Sequence, residues 1–274
     1  MKIFTRRAVA TVAVFLLTGC QSSPPMQQTA QVKVTGFTPF GVAGGYDVGS
    51  LIDYSNQNYQ TLFTSEYIEQ NARPEAQKGL HKLFHAPLQP VSPRYNDNQK
   101  RQFMEAIKRT LLAGRFNLSD RAKAAIDKIY KIDIAVASAA KKSTATPEAL
   151  QYRLIEAIPP AGGTIIGIKA KTGMAKTAVA VTDILIFNRA TVTLYFDRSV
   201  GAAERMELFD KLHFDNRVAI KLGSQANNSI RIEYTRPTIV AFKGFRFDKR
   251  ALRFYIKNGR LPSPKESQAL LSVG

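Results

Sequence analysis

Cysteine is all but absent from this sequence: one residue, Cys20, in 274. A single thiol closes no intrachain disulfide, so whatever folds here is held by its apolar core. Histidine is nearly as scarce, with only His81, His85 and His213. No Gly-x-Ser-x-Gly elbow occurs either, which leaves few groups for nucleophilic or general acid–base work. Long hydrophobic runs are missing too: the one at the start of the chain is about a dozen residues, against roughly 20 for a helix that spans a bilayer. Negative charge is the last shortage. Against 39 Lys and Arg stand 21 Asp and Glu, a formal net charge of +18, and a surplus of that size points to anionic partners.

What is present begins with a three-part leader. Residues 1–7 carry Lys2, Arg6 and Arg7 with no acid, 8–16 are apolar apart from Thr11, and Leu17-Thr18-Gly19 leads to Cys20. This is the build of an export signal. Leu17-Thr18-Gly19-Cys20 resembles the lipobox of bacterial lipoproteins, a resemblance that covers only these first residues. It implies that 1–19 are removed as a signal peptide and that Cys20 is lipidated, with fatty acyl chains on its thiol and on the new amino terminus. Two or three such chains, at about 0.8 kcal/mol per buried methylene, make the membrane attachment effectively permanent. Gln21 stands where an Asp would imply retention in the inner membrane, so the expected address is the outer membrane, facing the periplasm. Loss of Lys2, Arg6 and Arg7 with the signal lowers the net charge from +18 to +15. The anionic partners at that address are lipid, lipopolysaccharide or an envelope protein, and nucleic acid is not expected.

Residues 20–32, rich in Gln, Ser and Pro and without periodic apolar positions, predict a flexible tether with a reach of roughly 20 Å. Beyond it, 33–160 predicts a hairpin plus helical region and 161–274 an antiparallel β-rich region. The expected fold is α+β, a mainly helical middle segment followed by a largely antiparallel sheet. GSLIDY and YQTLFTSEY flank a polar turn, as a hairpin would. Helical spacing appears at Phe103, Ile107 and Leu111, then at Ala122, Ile126, Ile129 and Tyr130 behind the N-cap Ser119, and again from Pro147 with Leu150 and Leu154 inward. APLQPVSP, with three prolines, predicts a loop. Further on, TAVAVTDILIF, ATVTLYF, RVAIKL, SIRIEY, TIVAFKGFRF and LRFYIKN predict strands, with a helix over 199–212 that turns Met206, Phe209 and Leu212 inward.

Motifs for catalysis are weak. Ser138-Ala139-Ala140-Lys141 and Lys171-Thr172-Gly173 look like two of the three signatures of penicillin-binding enzymes, in which the serine attacks a carbonyl and the lysine takes its proton. Only 33 positions separate Ser138 from Lys171, the third signature is absent between them, and Ser138 follows the strand-like IDIAVA instead of opening a helix. His81 and His85 have the i, i+4 spacing of two zinc ligands. Lys82 follows His81 where a metalloprotease helix has its Glu, and helix-surface histidines are the simpler account. The glycines of GGTIIGIK and GMAKT lack the Gly-Lys-Ser/Thr of a phosphate loop and suit turns between strands. No catalytic residue, metal ligand or cofactor is therefore assigned.

Charge patterning is more informative. Residues 216–274 hold twelve Lys and Arg against three acids, a net +9. Arg217 and Lys221 alternate with Val218, Ile220 and Leu222, and Arg253 and Lys257 alternate with Leu252, Phe254 and Ile256. Arg217, Lys221, Arg231, Arg246, Arg253 and Lys257 are thus the candidate anion-binding residues, on the wet side of their strands. The expected function is a non-catalytic binding or assembly module, anchored in the outer membrane, that meets anionic envelope partners through a basic surface. The alternative is a cell-wall or lipid-modifying enzyme with a dispersed site.

Overall fold

A computed structural model describes residues 30–33, 37–55, 58–112, 118–144, 150, 153–155, 178–212, 218–223, 228–246, 257–258 and 263. In chain order the elements are β1 (Ala30–Lys33), β2 (Thr38–Gly44), β3 (Leu51–Ser55), β4 (Asn58–Phe63), α1 (Ser65–Gln70), α2 (Pro74–Phe84), β5 (Gln89–Arg94), α3 (Asp97–Leu112), α4 (Asp120–Asp127), β6 (Ile129–Ser143), β7 (Ala178–Phe196), α5 (Ala202–Leu212), β8 (Val218–Leu222), β9 (Ser229–Tyr234) and β10 (Thr238–Arg246). The fold is α+β. All ten described strands belong to one sheet, and every pairing is antiparallel except that of β1 with β5.

The sheet is organised by β7, which is 19 residues long. One of its edges pairs first with β3, at Ala178–Ala180, and then with β6 from Asp183 to Phe196. The other edge pairs with β10 from Val179 to Phe187 and with β9 from Ala190 to Tyr195. The sequence explains why this strand changes character midway. AVAVTDILIF is apolar almost without a break, and 178–187 is accordingly covered on both faces, with only Val179 and Asp183 partly exposed. ATVTLYF alternates, and 190–196 buries one face while half-exposing the other. The sequence predicts two strands here. They are one, continuous through Asn188 and Arg189, where the register shifts on either side of the Ser138–Arg189 pair, first by a bulge in β6 and then by one in β7 at Asn188.

Three apolar clusters follow from this geometry. Beneath the alternating half, Phe103, Ile107 and Leu111 of α3, Ala122 and Ile126 of α4 and Leu208 of α5 pack on Phe187, Val192, Leu194, Ile230 and Ile232. Each fully buried large side chain there contributes roughly 1.5–3 kcal/mol. The doubly covered half has Phe40, Val48, Ile52 and Phe242 on one side, with the rings of Phe40 and Phe242 stacked at 4.6 Å. Its other cluster unites Leu51, Phe63, Ala178 and Ala180 with Ile68 of α1, Leu80 and Phe84 of α2, and Leu150 and Leu154. Gly49 lets Phe84 in: its φ of +84° is open to glycine, and a methyl group there would collide with the Phe84 ring.

Several local expectations need correction. Gln89–Arg94 is strand β5, not loop, despite Pro90 and Pro93. Its ladders to β6 and to β1 overlap only at Val91, so each proline is paired on one side only, where a residue without an amide is tolerated. Ala30–Lys33, within and just after the expected tether, is β1. Helix α4 stops at Asp127, because the β-branched and aromatic run from Ile129 enters β6, and Tyr130 is 65% exposed. In α5 the inward residues are Arg205, Leu208 and Phe209, with Met206 at 46% exposed.

Candidate functional site

The wet side of β6, β7, β9 and β8 carries the first candidate. Asp133, Thr193, Arg231 and Lys221 are aligned in one row across the four strands, and Thr191, Glu233 and Ala219 form part of the next. Arg231 and Lys221 are exposed neighbours. Lys221 Nζ lies 2.6 Å from Glu233 Oε2, and Lys131 Nζ lies 3.2 Å from Asp133 Oδ2 and 4.7 Å from the centre of the Tyr195 ring. The Asp133 carboxylate, as hydrogen-bond acceptor and as charge, holds the Lys131 ammonium above its ordinary range. Burial first, and then a hydrogen bond to Asp133, also raise the Tyr195 hydroxyl.

These contacts revise the expected basic surface. Among the described residues Lys131, Lys221 and Arg231 share the face with Asp133 and Glu233, because Arg231 and Glu233 of SIRIEY stand two apart and so project to the same side. Arg246 is exposed at the end of β10, opposite Val179 of β7, whereas Arg231 is opposite Thr193. That separation is roughly 45 Å along an extended strand, so the two belong to different surfaces. Lys257 is exposed and helical, with Asn258, and not on a strand. Arg217 and Arg253 lie outside the described residues, as do Cys20, the leader and Lys171-Thr172-Gly173. Ser138 is exposed in β6 and Lys141 is 3.0 Å from Asp183, so the Ser-x-x-Lys pair occupies an extended strand, where its members lie roughly 10 Å apart.

The second candidate is a shallow groove of about 680 Å³ between α1 and α2. Thr64 caps α1 by accepting from the Tyr67 amide at 3.1 Å, and the Ser65 amide donates to Ser50 Oγ at 3.2 Å, which ties the helix to the start of β3. After the turn at Asn71–Arg73, Pro74 opens α2. Ile68, Leu80 and Phe84 point into the core. Glu69, His81 and His85 each follow one of these anchors, one step further round the helix, and so meet on the same rim. His81 Nδ1 is 2.6 Å from Glu69 Oε1, and His85 Nε2 is 3.2 Å from Glu69 Oε2. The two imidazoles face each other with centres 4.2 Å apart. One donor atom from each of the three residues lies within 4.8 Å of the others. Glu66, Gln70, Gln77 and Lys78 complete the walls. The histidine pair is visible in the sequence, while Glu69 is not, since it stands on a different helix and only the packing of Ile68 against Leu80 and Phe84 brings it across.

No helix among the described residues is long and apolar enough to cross a membrane. No protein-family model matches the chain, and no curated protein matches it. Among solved structures the chain is similar to a bacterial gasdermin from Bradyrhizobium tropiciagri, at 13% identity and a TM-score of 0.36, over 76% of this chain and 80% of that one.

Proposed function

We propose that this chain is a lipoprotein of the cell envelope, held by acylated Cys20 in the outer membrane and facing the periplasm, whose folded body is a non-catalytic binding or assembly module. The observation that carries it is the complete box Leu17-Thr18-Gly19-Cys20 behind a basic start and a short apolar run. The wet face of β6, β7, β9 and β8 supports the binding role, with Lys131, Arg231 and Lys221 exposed beside Thr193 and Tyr195. Its partner is an anionic lipid, lipopolysaccharide or an envelope protein.

The test uses the chain beginning at Gln21, without its anchor, in cosedimentation with anionic vesicles at two salt concentrations. Binding is expected to fall steeply with salt, since the screening length is only about 8 Å at 0.15 M. Replacing Lys131, Lys221 and Arg231 by Gln leaves Asp133 and Glu233 to repel the surface. At about 1 kcal/mol per basic group, affinity falls by at least about tenfold. The thermal midpoint stays within a few degrees, because exposed charges contribute little to folding. Equal binding by the triple variant, or none by the wild type, removes this face from the function. One observation favours the alternative of a cell-wall or lipid-modifying enzyme: the convergence of Glu69, His81 and His85 in the α1–α2 groove.

A further inference from the structure

We propose that Glu69, His81 and His85 form a binding site for a divalent transition-metal ion, Zn²⁺ in the first instance, which clips α1 to α2 and leaves a coordination position open to the groove. The inference stands apart from membrane anchoring and uses only residues of the α1–α2 pair.

The donor set decides the class of ion. Two imidazole nitrogens and a carboxylate suit zinc, nickel or copper(II), whereas calcium and magnesium take oxygen ligands and copper(I) favours sulfur. The geometry is close to what such an ion needs. Metal–ligand bonds of about 2.1 Å in a tetrahedral arrangement set neighbouring donors about 3.4 Å apart. His85 Nε2 and Glu69 Oε2 are already at 3.2 Å, and His81 Nδ1 and Glu69 Oε1, at 2.6 Å, need to separate by less than about 1 Å. The side chains that make this adjustment are on the surface: His81 is 65% and His85 56% exposed, with Glu69 at 20%. Their backbones are fixed by Ile68, Leu80 and Phe84, all buried, so the site is positioned by the core while its tips remain adjustable.

A proton-bridged Glu–His–His cluster accounts for the same contacts with each imidazole donating N–H to one carboxylate oxygen. The i, i+4 spacing already sets the two imidazoles side by side at 4.2 Å over one carboxylate, and an ion takes the place of the protons when each ring turns a lone pair inward and keeps its remaining N–H outward. Three protein donors with a fourth position open to solvent is the donor count of a reactive zinc site, not of a closed structural one. Lys78 on the same wall would repel the ion and attract an anionic group bound to it.

The experiment is a titration of the full chain, in detergent and without a histidine tag, with Zn²⁺ against a chromophoric chelator. One equivalent per chain is expected. His81→Ala and His85→Ala should each weaken binding at least as much as the 10–100-fold that losing an outer-shell partner costs. Glu69→Gln should also weaken it, and His213→Ala should leave it unchanged. Zn²⁺ should raise the thermal midpoint of the wild type and not that of His81→Ala/His85→Ala. Both histidines are exposed, so midpoints measured in chelator should match across the series and exclude misfolding as the cause of any loss. Wild-type affinity in the double histidine variant, no uptake by the wild type, or loss of binding in His213→Ala would each overturn the site.

Discussion

Tyr95 shows how one atom reports on a core. Its ring packs edge-on to Phe103 at 6.1 Å and to Phe187 at 6.4 Å between centres, and its hydroxyl is buried without a hydrogen-bond partner among the described residues. Burial pushes the Tyr95 hydroxyl far above the ordinary phenol range, so it stays protonated wherever the fold survives. A buried polar group with no partner costs about 1–3 kcal/mol. Tyr95→Phe keeps the ring contacts and removes the orphan, and is expected to leave stability unchanged or to raise it by up to about 1 kcal/mol in urea denaturation. A loss larger than that would show that the hydroxyl is bonded. Arg231 and Glu233 carry a different lesson at this scale. Their two-residue spacing already places them on one side of β9, so the mixed charge of the wet face was legible, and counting cations alone obscures it.

Between elements, Asp183 joins β7 to β6. Burial alone would raise its carboxyl, but hydrogen bonds from Ser143 Oγ at 2.6 Å, Lys141 Nζ at 3.0 Å and Thr182 Oγ1 at 2.8 Å outweigh it and hold the group below the usual carboxylate range. A depressed carboxylate stabilises the fold above its unfolded value, about 3.9, and that contribution is lost as pH falls through the lower folded value. Asp183→Asn should therefore lower the thermal midpoint at neutral pH and flatten its decline below about pH 4. Parallel midpoint curves for the two proteins would place the acid sensitivity elsewhere. Elements whose own pattern decides their state were readable: α3 from Phe103, Ile107 and Leu111, β9 from Ile230, Ile232 and Tyr234. Those decided by a partner were not. Strand β5 exists because β1 and β6 offer ladders to a proline-rich segment, and Glu69 joins the histidines only through the α1–α2 contact.

For the molecule as a whole, the proposed attachment rests on one side chain. Cys20→Ala is expected to yield an unprocessed or soluble chain, seen by fractionation, and to remove the mass of the acyl chains. An unchanged membrane fraction together with no acyl mass on the wild type would sink the lipoprotein proposal. The arrangement of β7 carries a further consequence, for the order in which the chain can fold. Its partners are drawn from 51–53 and 129–143 before it and from 229–246 after it, so its ladders are non-local and their closure is intrinsically slow. Until Thr238–Arg246 has been synthesised, 178–187 has an open edge and apolar residues on both faces, the kind of segment that pairs with copies of itself. Under the proposed export, the edge stays open until Thr238–Arg246 has followed the rest of the chain across the membrane, and a chain that stops short of Thr238 keeps that edge open for good.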